Sequence, residues 1–149
     1  MYKKIVLYIS VLFCLSLQAF AQNPGIDSLK NVITHSENDS TKVYTLLALS
    51  KEFFSINLGQ SIIYATEALD LSVKLKFNPG LALAYKNIGI AKYMEGKYLA
   101  SVENYEQSLV LFDTLKDNNG IANILSNEGA VYFNQADYEK ALDLSLIHI

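Results

Sequence analysis

Few residues in this chain combine the type and the spacing that chemistry needs. His35 and His148 are the only histidines, and neither has a second histidine or cysteine three or four positions away to complete a metal site on a helical face. Glu103 and Glu106 share a face at i, i+3, but paired carboxylates do acid–base work only in a desolvated cleft, and here they read as the outer face of a helix. Gly89 and Gly96 belong to a pair of helices and do not follow a strand, so they form no phosphate cradle. No serine or threonine stands beside a plausible base. The sequence therefore assigns no catalytic residue, no metal and no cofactor to residues 22–149. What remains is a pair of amides, Asn87 and Asn127, 40 residues apart. An asparagine side chain both donates and accepts hydrogen bonds.

The elements that carry those amides are copies of each other. Gly80-Leu81-Ala82 is followed by Asn87, Gly89, Gly96 and Tyr98; Gly120-Ile121-Ala122 is followed by Asn127, Gly129, Ala136 and Tyr138, each landmark displaced by 40. A period in this range marks a stacked array of supersecondary units. Three units follow from it, at 41–79, 80–119 and 120–149, the last expected to be incomplete. Val102, Tyr105, Leu109 and Phe112 fall at helical spacing. In the second unit, helix A is expected over 81–95 and helix B over 98–115. Gly96 supplies the left-handed residue between them. The runs from Lys76 to Gly80 and from Lys116 to Gly120 read as the turns between units. Ahead of the array, Ile26, Leu29, Val32 and Ile33 form one face of a short leading helix, and Asp39 or Ser40 is a good N-cap for the next.

Residues 1–21 read as a secretory leader: a basic head at Lys3-Lys4, an apolar run over 5–17, and Ala19-Phe20-Ala21 as a small-x-small cleavage signature. That run rises about 20 Å as a helix, short of the ~30 Å of a bilayer core. Cleavage is expected after Ala21. Cys14, the only cysteine, sits within the run behind Phe13 and leaves with it. The remainder holds ten lysines, no arginine and all fifteen acidic residues, a net charge of −5. Nucleic-acid binding needs a basic patch that this chain does not have.

The pattern resembles the tetratricopeptide repeat in its longer form of about 40 residues. The matching residues are Ala82, Tyr85, Ile88, Gly89, Tyr93, Gly96, Tyr98, Tyr105 and Leu109 in the second unit. In the third they are Ala122, Leu125, Gly129, Tyr132, Tyr138 and Ala141, and in the first, more weakly, Ala48, Phe53, Leu58, Ala65, Ala68 and Leu69. The resemblance implies an all-α fold, an α-α superhelix of helix-turn-helix repeats. Gly89 and Gly129 would let helix B approach helix A, Tyr98 and Tyr138 would fill the wedge beside the intra-unit turn, and Ala65, Ala68 and Ala141 would keep the packing layer thin. Three departures stand out: Leu49 occupies the place of Gly89, Glu128 the place of Ile88, and Ser61 and Ser101 the place of Ala141.

The resemblance also implies a concave groove lined by helix A. Its residues would be Leu83, Lys86, Asn87, Ile90, Tyr93 and Met94 in the second unit, and Asn123, Ser126, Asn127, Ala130, Phe133 and Asn134 in the third. In the first they would be Val43, Leu46, Leu47, Ser50, Phe53 and Phe54. Asn87 and Asn127 would hold the backbone of an extended peptide. Of the lysine and asparagine pattern that clamps acidic chaperone tails, only Lys86 is present, since Leu46, Ser50 and Ile90 hold the other places. The expected function is non-catalytic: a scaffold for a protein or peptide partner, or for self-association, without nucleic acid.

The leader, the Asp27-Ser28-Leu29 helix, the long repeats and the lysine-rich, arginine-free composition together look like the N-terminal region of Bacteroidetes signalling proteins. In those, repeats precede a membrane helix and a histidine kinase, nucleotide cyclase or transcription-regulator output. On this reading the chain is exported to the periplasm or cell envelope and meets the membrane only through a further C-terminal segment. The alternative is a stand-alone periplasmic or surface adaptor. The last five residues, 145–149, break the repeat register and read as foreign to it.

Overall fold

The computed structural model describes residues 24–146, apart from the side chain of Tyr138. The expected leader at 1–21, His148 and most of the tail at 145–149 lie outside the described residues. Among the described residues seven helices run in order: α1 Pro24–His35, α2 Ser40–Glu52, α3 Leu58–Leu75, α4 Asn78–Met94, α5 Tyr98–Leu115, α6 Asn118–Asn134 and α7 Tyr138–Leu146. No strand occurs among the described residues. Each helix packs on its neighbours in sequence, and α2 with α4 and α4 with α6 also touch, the pattern of a solenoid of helical pairs.

Side-chain caps set the starts of α2, α3 and α6, while α4 and α5 have none. The carboxylate of Asp39 accepts the Lys42 amide at 3.0 Å, Asn57 accepts that of Gln60 at 3.1 Å, and Asp117 accepts that of Gly120 at 2.9 Å. Each satisfies one of the amides a helix start leaves open. α4 and α6 begin three residues earlier than the expected 81 and its copy. Pro79 has the fixed φ of a first helical turn, so that turn is already helix. Gly80 and Gly120 thus lie inside helices, not in turns. The left-handed residues between units are Lys76 (φ 53°) and Lys116 (φ 56°). Gly96, at φ 74°, ends the second unit's helix A as expected, and Ala136 takes the same conformation at φ 61° in the third.

α4 and α6 are 40 residues apart at both ends, and α3 and α5 likewise. α2 is out of step. It ends at Glu52, and the chain takes five residues, 53–57, to reach α3, where the later units take three. Phe53 holds that longer turn: its ring stacks on Tyr64 with centroids 5.5 Å apart, and Lys30 of α1 lies 5.8 Å over it.

Two apolar clusters make the core. Val43, Leu46, Leu47, Ala68 and Ala84 join the first unit to the second; Ala82, Tyr105, Phe112, Ile124 and Val131 join the second to the third. Within the second unit, hydroxyls of helix B bond carbonyls of helix A. Ser101 Oγ donates to Gly89 O and Ser108 Oγ to Ala82 O, both at 2.8 Å. Ser101 thus departs from the expected alanine without leaving a buried polar atom unpaired. Gly89 is a point of close approach, since a Cβ there would lie 2.5 Å from the Tyr105 ring and 3.3 Å from Ser101 O. At Gly129 the nearest atom would be Ala141 O at 3.5 Å, an ordinary contact, so the third unit is not closed as tightly.

Candidate interaction surface

The residues expected to line a groove fall into three environments. In the first unit Val43, Leu46, Leu47 and Ser50 are buried, and Phe53 and Phe54 sit in the longer turn. They are core, not groove, because α2 does not keep the 40-residue register on which their assignment rested. Ser50 Oγ lies 3.2 Å from Ser61 Oγ, inside its own unit.

In the second unit Leu83, Lys86, Ile90 and Tyr93 are half-buried and share one face of α4, and Met94 is exposed at its end. Asn87 does not join them. It is fully buried, and its Nδ2 donates to the carbonyl of Leu47 at 3.1 Å, so it ties α4 to α2. A buried amide engaged with the preceding unit cannot hold an incoming peptide, which overturns its assignment to the groove. Its Oδ1 has no hydrogen-bond partner. Lys86 is held below the usual lysine range, first by burial and then by the Lys51 ammonium, with Asp117 pulling the other way.

In the third unit the copies of these positions open outward. Asn123, Ser126, Ala130, Phe133 and Asn134 are exposed, and Asn127 is half-buried with its Nδ2 3.4 Å from Asn123 Oδ1. Asn134 Nδ2 donates to the Tyr93 hydroxyl, linking the ends of α6 and α4. The opening follows from stacking: α6 covers the second unit's face, and no described helix covers the third. Tyr105 is 1% exposed, while Ser145, its copy, is exposed. Between α6 and α7 this leaves a cavity of about 660 Å³, lined by apolar residues that include Leu125, Ala130, Phe133, Ala141 and Leu142.

Of the residues expected to pack the repeats, Gly89, Gly96, Gly129 and Ala141 have the places given above, and Tyr98 lies with its ring 5.9 Å from that of Tyr93. Tyr138 opens α7, but its side chain lies outside the described part. Sequence reasoning noticed Glu128 only as a departure from Ile88. It is 7% exposed, and its Oε1 has no hydrogen-bond partner. Burial, and then the Glu106 carboxylate, push it above the ordinary glutamate range, against the pull of Lys140. Lys140 itself lies 3.9 Å over the Tyr132 ring. Tyr105, which feels the Glu128 charge, is pushed up to about 12, mainly by burial. Among the described residues no three side chains are placed to hold a metal ion, and no described helix is long and apolar enough to cross a membrane.

This geometry is that of a known class. Residues 81–145 match the tetratricopeptide repeat family model. Among solved structures, the crystal structure of the TPR domain of Arabidopsis FLU superposes with a TM-score of 0.67 at 19% identity, over 73% of this chain and 92% of that one. No curated protein matches the chain. Residues 81–145 thus resemble tetratricopeptide repeats, and the described residues fold as an all-α solenoid of the kind seen in that TPR domain. Arrays of this class are in general non-catalytic protein-interaction scaffolds.

Proposed function

We propose that residues 22–149 form an exported scaffold that binds a protein or peptide partner along the inner face of α4. The observation that carries this reading is the row Leu83, Lys86, Ile90 and Tyr93. These side chains repeat at helical spacing and are neither core nor free. A row of this kind offers apolar area, a phenol and one cation whose partial desolvation strengthens its attraction to an acidic group. Asn123 and Asn127 extend the row into the third unit. The export assignment draws on the leader pattern at 1–21, and the repeat layout behind it supports a place as the sensory or assembly region of a larger membrane signalling protein.

The test is to pan a displayed library of random peptides against the immobilised chain and against Lys86→Glu and Ile90→Ser variants. Sequences enriched on the parent and lost on both variants support the groove. A library that enriches nothing, or enriches equally on all three, sinks it.

A further inference from the structure

The seam between the second and third units carries a pair of carboxylates that the seam before it does not. Shifted back by 40 residues, Glu106 and Glu128 become Thr66 and Ile88. Ile88 is apolar and 9% exposed, and the Thr66 hydroxyl donates to the Ile62 carbonyl of its own helix at 2.8 Å, so the first seam is neutral at both places. In the second seam Glu128 of α6 is buried to the same degree, at 7% exposed, with no hydrogen-bond partner on its Oε1. Ile88 is as deeply buried inside a unit followed by another, so this burial belongs to the repeat position itself.

The surroundings of Glu128 supply no fixed counter-charge. From α5 it meets the buried Tyr105 phenol and the exposed Glu106 carboxylate, which repels it. From α7 comes Lys140, with Asp137 near it, but the Lys140 ammonium rests 3.9 Å over the Tyr132 ring of α6, and its pull on Glu128 is weaker than the push of Glu106. The charged and polar groups of α4 act on the ends of α6 instead, Lys86 on Asp117 and Tyr93 on Asn134. We propose that Glu128 makes this seam a proton-controlled hinge: with Glu128 neutral the second and third units close on each other, and with it ionised they part enough to admit water. A carboxylate that ionises in such a place must regain hydration, and Glu106 adds to the strain. Ile124 and Val131, set in the cluster around Tyr105, keep α6 attached while the seam gives. Acid therefore closes the hinge and rising pH opens it. Because α6 carries Asn123 and Asn127, the proton also sets how the inner row of α4 continues into the third unit. That regulatory use rests on the proposed groove; the hinge itself does not, and its test needs no partner.

The experiment is hydrogen–deuterium exchange of the full chain, read by mass spectrometry at pH 5 and pH 8 and corrected for the intrinsic pH dependence of amide exchange. α4, with Ile88 in the equivalent place, is the internal reference. From pH 5 to pH 8 the protection of α6 relative to α4 is expected to fall at least about fivefold in the parent. It is expected to stay level in Glu128→Gln, which keeps the shape without the charge, and in Glu128→Ile, which copies the first seam. Either variant suffices if the other misfolds. A ratio that stays level in the parent, or that falls equally in the variants, overturns the hinge. A loss of protection spread evenly over α4 and α6 also overturns it, since Glu128 would then weaken the whole fold and not one seam. If panning on the inner row fails while the ratio falls as expected, the groove is wrong and the hinge stands.

Discussion

The Asn87 side chain donates to the Leu47 carbonyl at 3.1 Å, so an amide that the sequence offers as a ligand for peptides is a tie between neighbouring helices A. Its burial gives it a stability role. Asn87→Ala is expected to lower unfolding free energy by about 1–2 kcal/mol, because the bond is lost and the site is left partly empty. Asn127, half-buried and only loosely bonded to Asn123, is the control: Asn127→Ala is expected to stay within about 0.5 kcal/mol of the parent. Urea titration of the three proteins compares them directly. Equal losses at both positions would mean that the tie contributes nothing.

Glu128 makes stability depend on pH in an unusual direction for a carboxylate. Burial, then Glu106, raise its folded-state pKa above the unfolded one, so the folded protein favours the proton. Its contribution is fully present below the ordinary glutamate range and is lost as pH rises through the raised value. Glu128→Gln keeps the shape and removes the charge. At pH 7 the variant is expected to be more stable than the parent by about 1 kcal/mol, the scale of an unpaired buried polar group. The gap is expected to close near pH 4. Thermal melts of both proteins across that range check it, and a gap that widens toward acid would reverse the assignment.

Ala136 holds the left-handed conformation that Gly96 holds one unit earlier. A Cβ there costs roughly 1 kcal/mol, which glycine avoids. Ala136→Gly is expected to raise stability by about that amount, and Gly96→Ala to lower it similarly, since the space around Gly96 is open and backbone conformation alone is at stake. Chemical denaturation of the pair of variants is sufficient.

Gly89 presents the opposite case, where space decides. A methyl group would meet the buried Tyr105 ring and the Ser101 carbonyl together, so Gly89→Ala is expected to cost about 1–3 kcal/mol. The same change at Gly129 meets only ordinary contacts, and its higher helix propensity makes Gly129→Ala neutral or mildly stabilising, by up to about 1 kcal/mol. A shared large loss would show that the third unit closes as tightly as the second.

The leader expected at 1–21 makes an independent prediction. When the full chain is expressed in a bacterium, mass spectrometry of the envelope-released protein is expected to show a chain beginning at Gln22, as glutamine or cyclised to pyroglutamate. An intact N-terminus on a protein that stays with the cell interior would remove the export reading.

The parts of the fold legible in the sequence are those where local chemistry and the period agree. Helix α5 starts at Tyr98 and ends at Leu115, as its spacing implies, because a left-handed glycine precedes it and a lysine in the same conformation closes it. The first unit was harder to read. Its turn is two residues longer, and it is marked by Phe53 packing on Tyr64 instead of by glycine, so nothing in the local sequence announces the change of register. The groove is least legible there, since a 40-residue count places Val43, Leu46, Leu47 and Ser50 on it while the structure buries them. Asn87 failed for another reason. Polarity marks it as a surface residue, and only the carbonyl waiting in the neighbouring helix makes its burial tolerable. Glu128 left a trace, a charge where its copy is isoleucine, that could have been followed to a buried carboxylate.

The hydroxyl bonds inside the second unit have a mechanical consequence. Ser101 and Ser108 rivet helix B to helix A at two heights, Gly89 and Ala82, so the pair resists twisting or sliding as one plate. Between plates the links are sparser: Asn87 to Leu47, Tyr93 to Asn134, and apolar faces whose attraction has no preferred direction. Under load the second unit should therefore keep its form while its junctions with the neighbouring units give, changing the pitch of the array. A partner lying along the units would feel that pitch as curvature, and by gripping several of them it would set it.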